Sequence, residues 1–246
     1  MKSPLVKLIL DIVMGAAVPI LILNNLTPVI GPPPAYVFAA LVPVGYVLVD
    51  TLVISRRFNA ITTYVALTTI MQGVLAFWFV DGWRYALKDT AGLIVAVLIF
   101  FGSLALGKPM MLFFLAQVFQ PDTPRKYAAM DALLRKPRVW RVVQATTALI
   151  GVQNLAFAVV NFSLNLSIVT ASFGSSAFNS QVAQVNGITR VAFTLISFAV
   201  FVLAFFWLYS TIYRSFPPQE GKDLTEVDIW DLLRGEGLLV EEAQAG

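Results

Sequence analysis

Neither cysteine nor histidine occurs anywhere in the 246 residues. Their absence excludes disulfides, thiolate zinc sites and cysteine nucleophiles, together with the imidazole ligands that usually hold haem and many metals. Charge is scarce as well: Asp, Glu, Lys and Arg make up 13% of the chain against 58% apolar residues, and mean hydropathy is +0.79. Soluble domains carry roughly 25% charged residues, so this chain needs a bilayer for solvent. A serine nucleophile would need a partner base, and neither His nor a well-placed Lys supplies one. The expectation is a non-enzymatic protein with no catalytic residues, no metal site and no cofactor.

What is present is apolar length. Six runs extend over about Leu8 to Leu26, Pro34 to Ile54, Ala60 to Val80, Leu87 to Leu106, Val142 to Leu164 and Ile188 to Ile212. Each meets the roughly 20 residues that a helix needs to cross the hydrocarbon, and none shows the alternation of a lipid-facing strand. The expected fold is all-α and polytopic, with six transmembrane helices. Lys2 and Lys7 ahead of Ile12 to Leu23 mimic a signal peptide, but Asn24-Asn25 follows where a small-residue cleavage site belongs, which makes this an uncleaved first span. Pro19 and Pro43 predict kinks, and Gly31-Pro32-Pro33-Pro34 predicts a short, stiff connection between antiparallel neighbours.

Charge assigns an orientation. Lys2, Lys7, Arg56, Arg57, Lys108, Arg125, Lys126, Arg135, Lys136, Arg138, Arg141, Arg214, Lys222 and Arg234 fall on the N-terminal segment and every second connection, while the other side holds Arg84, Lys88 and Arg190. Basic loops are retained in the cytoplasm during insertion, which predicts both termini inside. Asp11 can pair with Lys7, and Asp50 lies near Arg56-Arg57; Asp81 and Asp89 bracket an external loop whose Trp83 and Tyr85 suit an interfacial belt.

Two parts follow: a membrane domain over 1–216 with a cytoplasmic loop at 107–141, and an acidic cytoplasmic tail over 217–246. Gly107-Lys108-Pro109 should break the fourth helix, leaving Met110 to Phe119 too short to span and either interfacial or re-entrant. The tail holds eight acidic and two basic residues. In it Thr225-Glu226-Val227-Asp228 resembles a capping box opening a short amphipathic helix to about Arg234, whose strip of Val227, Trp230 and Leu233 must bury against this chain or a partner. Lys108, Arg125, Lys126, Arg135, Lys136, Arg138, Arg141 and Trp230 are the candidate contacts for anionic lipid or a partner protein. The alternative is that these charges merely enforce topology, since the positive-inside rule alone explains them, and nothing in their pattern supports nucleic-acid binding.

Polar side chains inside the runs concentrate on the fifth, where Gln144, Thr147, Gly151, Asn154, Asn161 and Asn165 recur at helical spacing along one seam. Such a seam serves as packing glue or lines a polar path. The sequons at Asn161 and Asn165 then read as fortuitous, and residues 171–187 read as a polar, uncharged surface loop.

Gly107-Lys108-Pro109-Met110, a basic loop, Val139-Trp140-Arg141 opening a span, Asn154-Leu155 and Leu87-Lys88-Asp89-Thr90 together resemble the bacterial septation-protein-A family and its uncharacterised relatives over about residues 1–165. The matching positions are Lys88, Asp89, Gly107, Lys108, Pro109, Trp140, Arg141 and Asn154; the loop before Trp140 is longer here, and the acidic tail departs from the pattern. The resemblance implies a small multi-pass protein of the bacterial cytoplasmic membrane linked to envelope integrity or division. The expected function is thus association, as an envelope or division factor or an accessory subunit with membrane-protein partners. A small-solute transporter or channel is the alternative, and it requires polar faces to converge on a wet cavity.

Overall fold

A computed structural model describes residues 13–49, 68, 70–217 and 228–239. The pairings expected of Asp11 with Lys7 and of Asp50 with Arg56-Arg57 lie outside these residues, as do Thr225 to Val227. All the regular structure among the described residues is helical. A π-helical turn at Val13–Ala17 leads into α1 (Val18–Asn25), followed by α2 (Thr27–Ile30), α3 (Pro32–Val49) and helical residues 70–76. Then come α4 (Gly82–Ala105), α5 (Met110–Phe119), α6 (Pro124–Leu134), α7 (Pro137–Ile168), α8 (Ser176–Tyr213) and α9 (Ile229–Gly235).

Among the described residues, four helices are long and apolar enough to cross a membrane: α3, α4, α7 and α8. Their outward faces carry the side chains a bilayer demands. On α7, Leu149, Val152, Leu155, Val159 and Leu166 are exposed, and on α8 so are Leu195, Phe198, Val202, Leu203 and Phe206. Spacings of three, four and seven put each set on one helix side. At about 1.5 Å per residue α7 and α8 are roughly 48 and 57 Å long, well beyond the ~30 Å thickness of a bilayer's hydrocarbon.

Proline and glycine act locally as their chemistry dictates. The irregular turn falls where Pro19, near the start of α1, removes a backbone donor. Pro43 is accommodated within α3. Gly31, at φ 84°, is the whole connection between α2 and α3, because Pro32 already opens the next helix.

Two stretches read as loops are helical. α8 starts at Ser176, so most of 171–187 is helix, and Asn179, Val182, Ala183, Val185 and Asn186 are buried. Ser175 Oγ accepts from the Phe178 amide at 3.1 Å, while Gln181 Oε1 accepts from the Thr170 and Ala171 amides at 3.0 and 2.9 Å. These polar groups were therefore not solvent signals; they cap and tie the chain reversal before α8. Likewise α4 begins at Gly82, so the loop expected from Asp81 to Asp89 is its first turns, and Tyr85 is a buried core residue instead of an interfacial one.

The chain forms two compact units: Met1–Leu98 with Val152–Phe198, and Ile99–Gly151 with Ala199–Gly246. In the second unit, Ser103 Oγ and Thr147 Oγ1 accept from the Met110 and Met111 amides at 3.0 and 3.2 Å, satisfying the free donors at the start of α5. Gly151 lets α7 close on α4, since a Cβ there would meet Phe100 and Phe101 at 3.3 Å. Thr123 caps α6 by accepting from the Lys126 amide.

The tail helix α9 opens on Asp228, whose carboxylate accepts from the Trp230 amide at 2.9 Å, and closes through Gly237 at φ 70°. Ile229, Leu232 and Leu233 are buried, Trp230 lies 5.0 Å from Lys126 Nζ, and Glu236 pairs with Lys136 at 3.1 Å. The buried face is thus Ile229, Leu232 and Leu233, sharing only Leu233 with the expected strip of Val227, Trp230 and Leu233; Trp230 is half-buried. Burying two leucines contributes about 3–6 kcal/mol, against about 1 kcal/mol for a partly exposed ion pair, so packing holds the helix and charge only orients it. Leu233→Asp is expected to release α9, seen as cleavage by a Glu-specific protease at Glu236 at least ~10-fold faster; an unchanged rate would mean that the buried face does not hold the tail.

Candidate functional site

In the first unit, the start of α8 is pinned to the start of the chain. Asn179 Nδ2 donates to Thr27 Oγ1 at 3.0 Å and to the Pro32 carbonyl at 2.8 Å. Around this anchor the rings of Tyr36, Tyr85, Phe173 and Phe178 pack edge to face, with centroids 5.0 Å apart for Tyr85 and Phe178 and 5.6 Å for Tyr36 and Phe173. This aromatic floor is what α4 meets two turns into its length.

Here α4 carries Lys88 and Asp89. Lys88 is 4% exposed; its ammonium donates to the Trp78 carbonyl at 2.6 Å and lies 4.7 Å from the Tyr36 ring centre and 5.8 Å from that of Tyr85. Removing an ammonium from water costs several kcal/mol, and ring faces return about 2 kcal/mol when desolvated. The carbonyl supplies a further charge-assisted bond. Asp89 is held differently. Its Oδ2 accepts from Asn161 Nδ2 and Asn165 Nδ2, each at 3.0 Å, and Asn161 also reaches Thr90 Oγ1 at 3.1 Å. Through Asp89, Asn161 and Asn165, α4 and α7 are hydrogen-bonded, and Asp89 Oδ2 is met by neutral amides.

These groups border a cavity of about 430 Å³. Lys88, Asp89, Asn161, Asn186, Thr189 and Arg190 form part of its polar wall, with Gln72 and Thr68 contributed from the segment before α4. Leu23, Ala39, Val44, Leu75, Leu93 and Phe193 form much of its apolar wall. On α8, Arg190 Nε donates to Asn186 Oδ1 at 2.9 Å, which leaves the far end of the guanidinium uncommitted among the described residues. Gly92 keeps room for the Gln72 amide, which a Cβ at that position would strike. The volume falls within the ~300–1,000 Å³ of small-molecule sites, and the mixture of an apolar wall with few convergent polar groups is their usual chemistry.

The seam read on the fifth run is divided between the two units. Asn161 and Asn165 take hold of Asp89, and Asn161 alone of the six lines the cavity. Thr147 and Gly151 are buried in the second unit, against the start of α5 and against Phe100 and Phe101; Gln144 and Asn154 are half-buried. The basic positions lie around α6 and the start of α7. Lys126 pairs with Asp122 at 2.8 Å, holding that carboxyl below its ordinary range, and Arg135 pairs with Asp131 at 2.7 Å and lies 5.7 Å from the Trp140 ring. Lys136 takes Glu236 and the Phe216 ring, Arg141 Nε donates to the Pro137 carbonyl, and Lys108, Arg125 and Arg138 are exposed. Trp230 faces Lys126.

No protein-family model, curated protein or solved structure matches the chain.

The cavity's own ionic set was not singled out from sequence. Lys88 and Arg190 counted there as charges on one side and Asp89 as the end of a loop, and Lys88 and Asp89 also as positions of the family resemblance, but none of them as part of a site. A signal was present: Asn179, Val182, Asn186, Thr189 and Phe193 repeat at steps of three and four, the same pattern that marked the fifth run. Reading 171–187 as a loop cut that repeat in two.

Proposed function

We propose that the chain is a six-span membrane protein, with both termini on the more basic, cytoplasmic side, that binds a small organic solute in the first unit's cavity and carries it across the bilayer. The observation that carries this reading is the cavity itself. Lys88, Asp89 and Arg190 line it from helices long and apolar enough to span, and among the described residues none of the three has an ion-pair partner within 4.0 Å. Ionisable groups in spanning helices are expensive, and where they persist they mark solute or ion pathways. Broken or Pro-interrupted helices at such sites, here α1 and α3 with Pro19 and Pro43 in the cavity wall, are a recurrent feature of carriers.

Association with a partner has less to stand on. The amide seam is engaged within the chain at Asp89, and Ile229, Leu232 and Leu233 of the tail helix are buried. The resemblance to septation-protein-A relatives rests on short motifs, and among them Lys88 and Asp89 fall in the cavity wall, where a carrier would use them.

The natural lack of cysteine makes the test direct. Thr189→Cys places a thiol in the cavity wall, and Leu203→Cys places one on an outward apolar face. A carrier is expected to show Thr189→Cys reacting with a water-soluble methanethiosulfonate while Leu203→Cys stays unreactive in the bilayer. A Thr189→Cys thiol that is inert in folded protein would refute a water-filled cavity.

A further inference from the structure

Resting on that carrier reading, we infer that the solute is a monocarboxylate with an apolar body, its carboxylate taken by Arg190. Among the described residues two cations and one anion line the cavity, so its described wall holds one excess positive charge. A monoanion brings it to neutrality; an amine would double the excess, and a zwitterion would leave it unchanged. Both other ionic groups are already held in place. Lys88 is enclosed by Tyr36, Tyr85 and the Trp78 carbonyl, and Asp89 is fixed by the amides of Asn161 and Asn165. Arg190 differs from both: among the described residues it is bonded through Nε alone, to Asn186, which orients the guanidinium and leaves donors to reach a ligand. That planar fork matches a carboxylate with two parallel hydrogen bonds.

Charge alone does not choose between carboxylate and phosphate, but the rest of the wall does. A phosphate monoester carries close to two negative charges at neutral pH and would overshoot neutrality, and it would need donors from several sides. Across from the polar wall stand Leu23, Ala39, Val44, Leu75, Leu93 and Phe193. The volume of about 430 Å³ is nearly three times that of a ~150 Å³ cavity that takes one benzene ring, enough for a ring or an alkyl chain beside the carboxylate.

The test uses full-length protein in a mild nonionic detergent and four probes of one skeleton: 3-phenylpropanoate, 3-phenylpropylamine, 3-phenylpropanol and phenylalanine, with octanoate as a second acid. Thermal unfolding followed by tryptophan fluorescence is expected to show a saturable rise in Tm with the two acids and none with the amine, alcohol or zwitterion. Arg190→Gln is expected to weaken binding of the acids by about 10- to 100-fold, the range for losing a hydrogen bond to a charged group. Arg190→Lys, which keeps the charge but not the fork, should fall between. Tm of each variant without probe, with its elution as a single species, separates lost binding from lost folding. Preference for the amine, the alcohol or phenylalanine, or equal affinity of Arg190→Gln for the acids, would overturn the monocarboxylate assignment. So would no response to either acid; the carrier reading then survives if Thr189→Cys still reacts with the aqueous reagent and falls with it if that thiol is inert.

Discussion

Ala39→Trp is expected to close the cavity, and the reaction of a cysteine at Thr189 with an aqueous thiol reagent should slow by about two orders of magnitude. Ala39 is 4% exposed and stands in the apolar wall of a cavity of about 430 Å³. That volume has room for an indole without the overpacking that a filled core would suffer. A reagent that must displace the ring has to expose it, at roughly 3 kcal/mol for a large aromatic side chain, or about 100-fold in rate. The comparison is made between Thr189→Cys alone and the Ala39→Trp, Thr189→Cys pair, each checked for a single elution peak. Equal rates would show that reagent reaches position 189 by a route other than the cavity.

The second large effect concerns stability. Removing both amides with Asn161→Ala and Asn165→Ala takes away the two hydrogen bonds that Asp89 Oδ2 accepts at 3.0 Å. Hydrogen bonds to charged groups are worth about 1.5–3 kcal/mol each, and a half-buried carboxylate loses its solvation as well. The pair is expected to destabilise the protein by about 3–5 kcal/mol. In an Asp89→Asn background the same pair should cost about 1–2 kcal/mol, since neutral bonds between membrane helices average nearer 0.6 kcal/mol each. Unfolding equilibria of the four proteins in mixed micelles give the coupling as a double-mutant cycle. Additive costs, with no dependence on the residue at 89, would show that the amides act by packing and not by holding the charge.

How far these features were legible from sequence depends on what kind of signal each leaves. Apolar runs are long-range and redundant, so the helices around Pro34, Leu87, Val142 and Ile188 were readable, as was the break at Gly107-Lys108-Pro109 before α5. Their ends were not. α8 begins at Ser176, twelve residues before the apolar run at Ile188, because Ser175 caps its first turn and Asn179 and Gln181 hydrogen-bond to other segments. Polar composition looks the same in a water-facing loop and in a helix whose amides bind neighbours.

The tail helix was legible because its polar start, apolar residues and glycine lie within a few residues of one another, but its details were not: Asp228 is the N-cap, and Ile229, Leu232 and Leu233 are the buried face. The site shows the opposite case. Asn161 and Asn165 stood out on α7, but their partner Asp89 is more than seventy residues away on α4, and Arg190 lies on a third helix. A polar group in a membrane helix reveals that a partner must exist, not where it is. Once α4, α7 and α8 are assembled, Lys88, Asp89 and Arg190, read from sequence as loop, topology or motif positions, line one cavity.

The most direct test of a carrier is sidedness. Thr189→Cys is exposed to a membrane-impermeant thiol reagent in right-side-out vesicles and, separately, in inverted ones, with Leu203→Cys as the lipid-facing control. Alternating access predicts that position 189 reacts from both sides, and that saturating 3-phenylpropanoate slows both reactions. Reaction from one side alone, unchanged by the acid, would contradict the account and leave the cavity a fixed pocket.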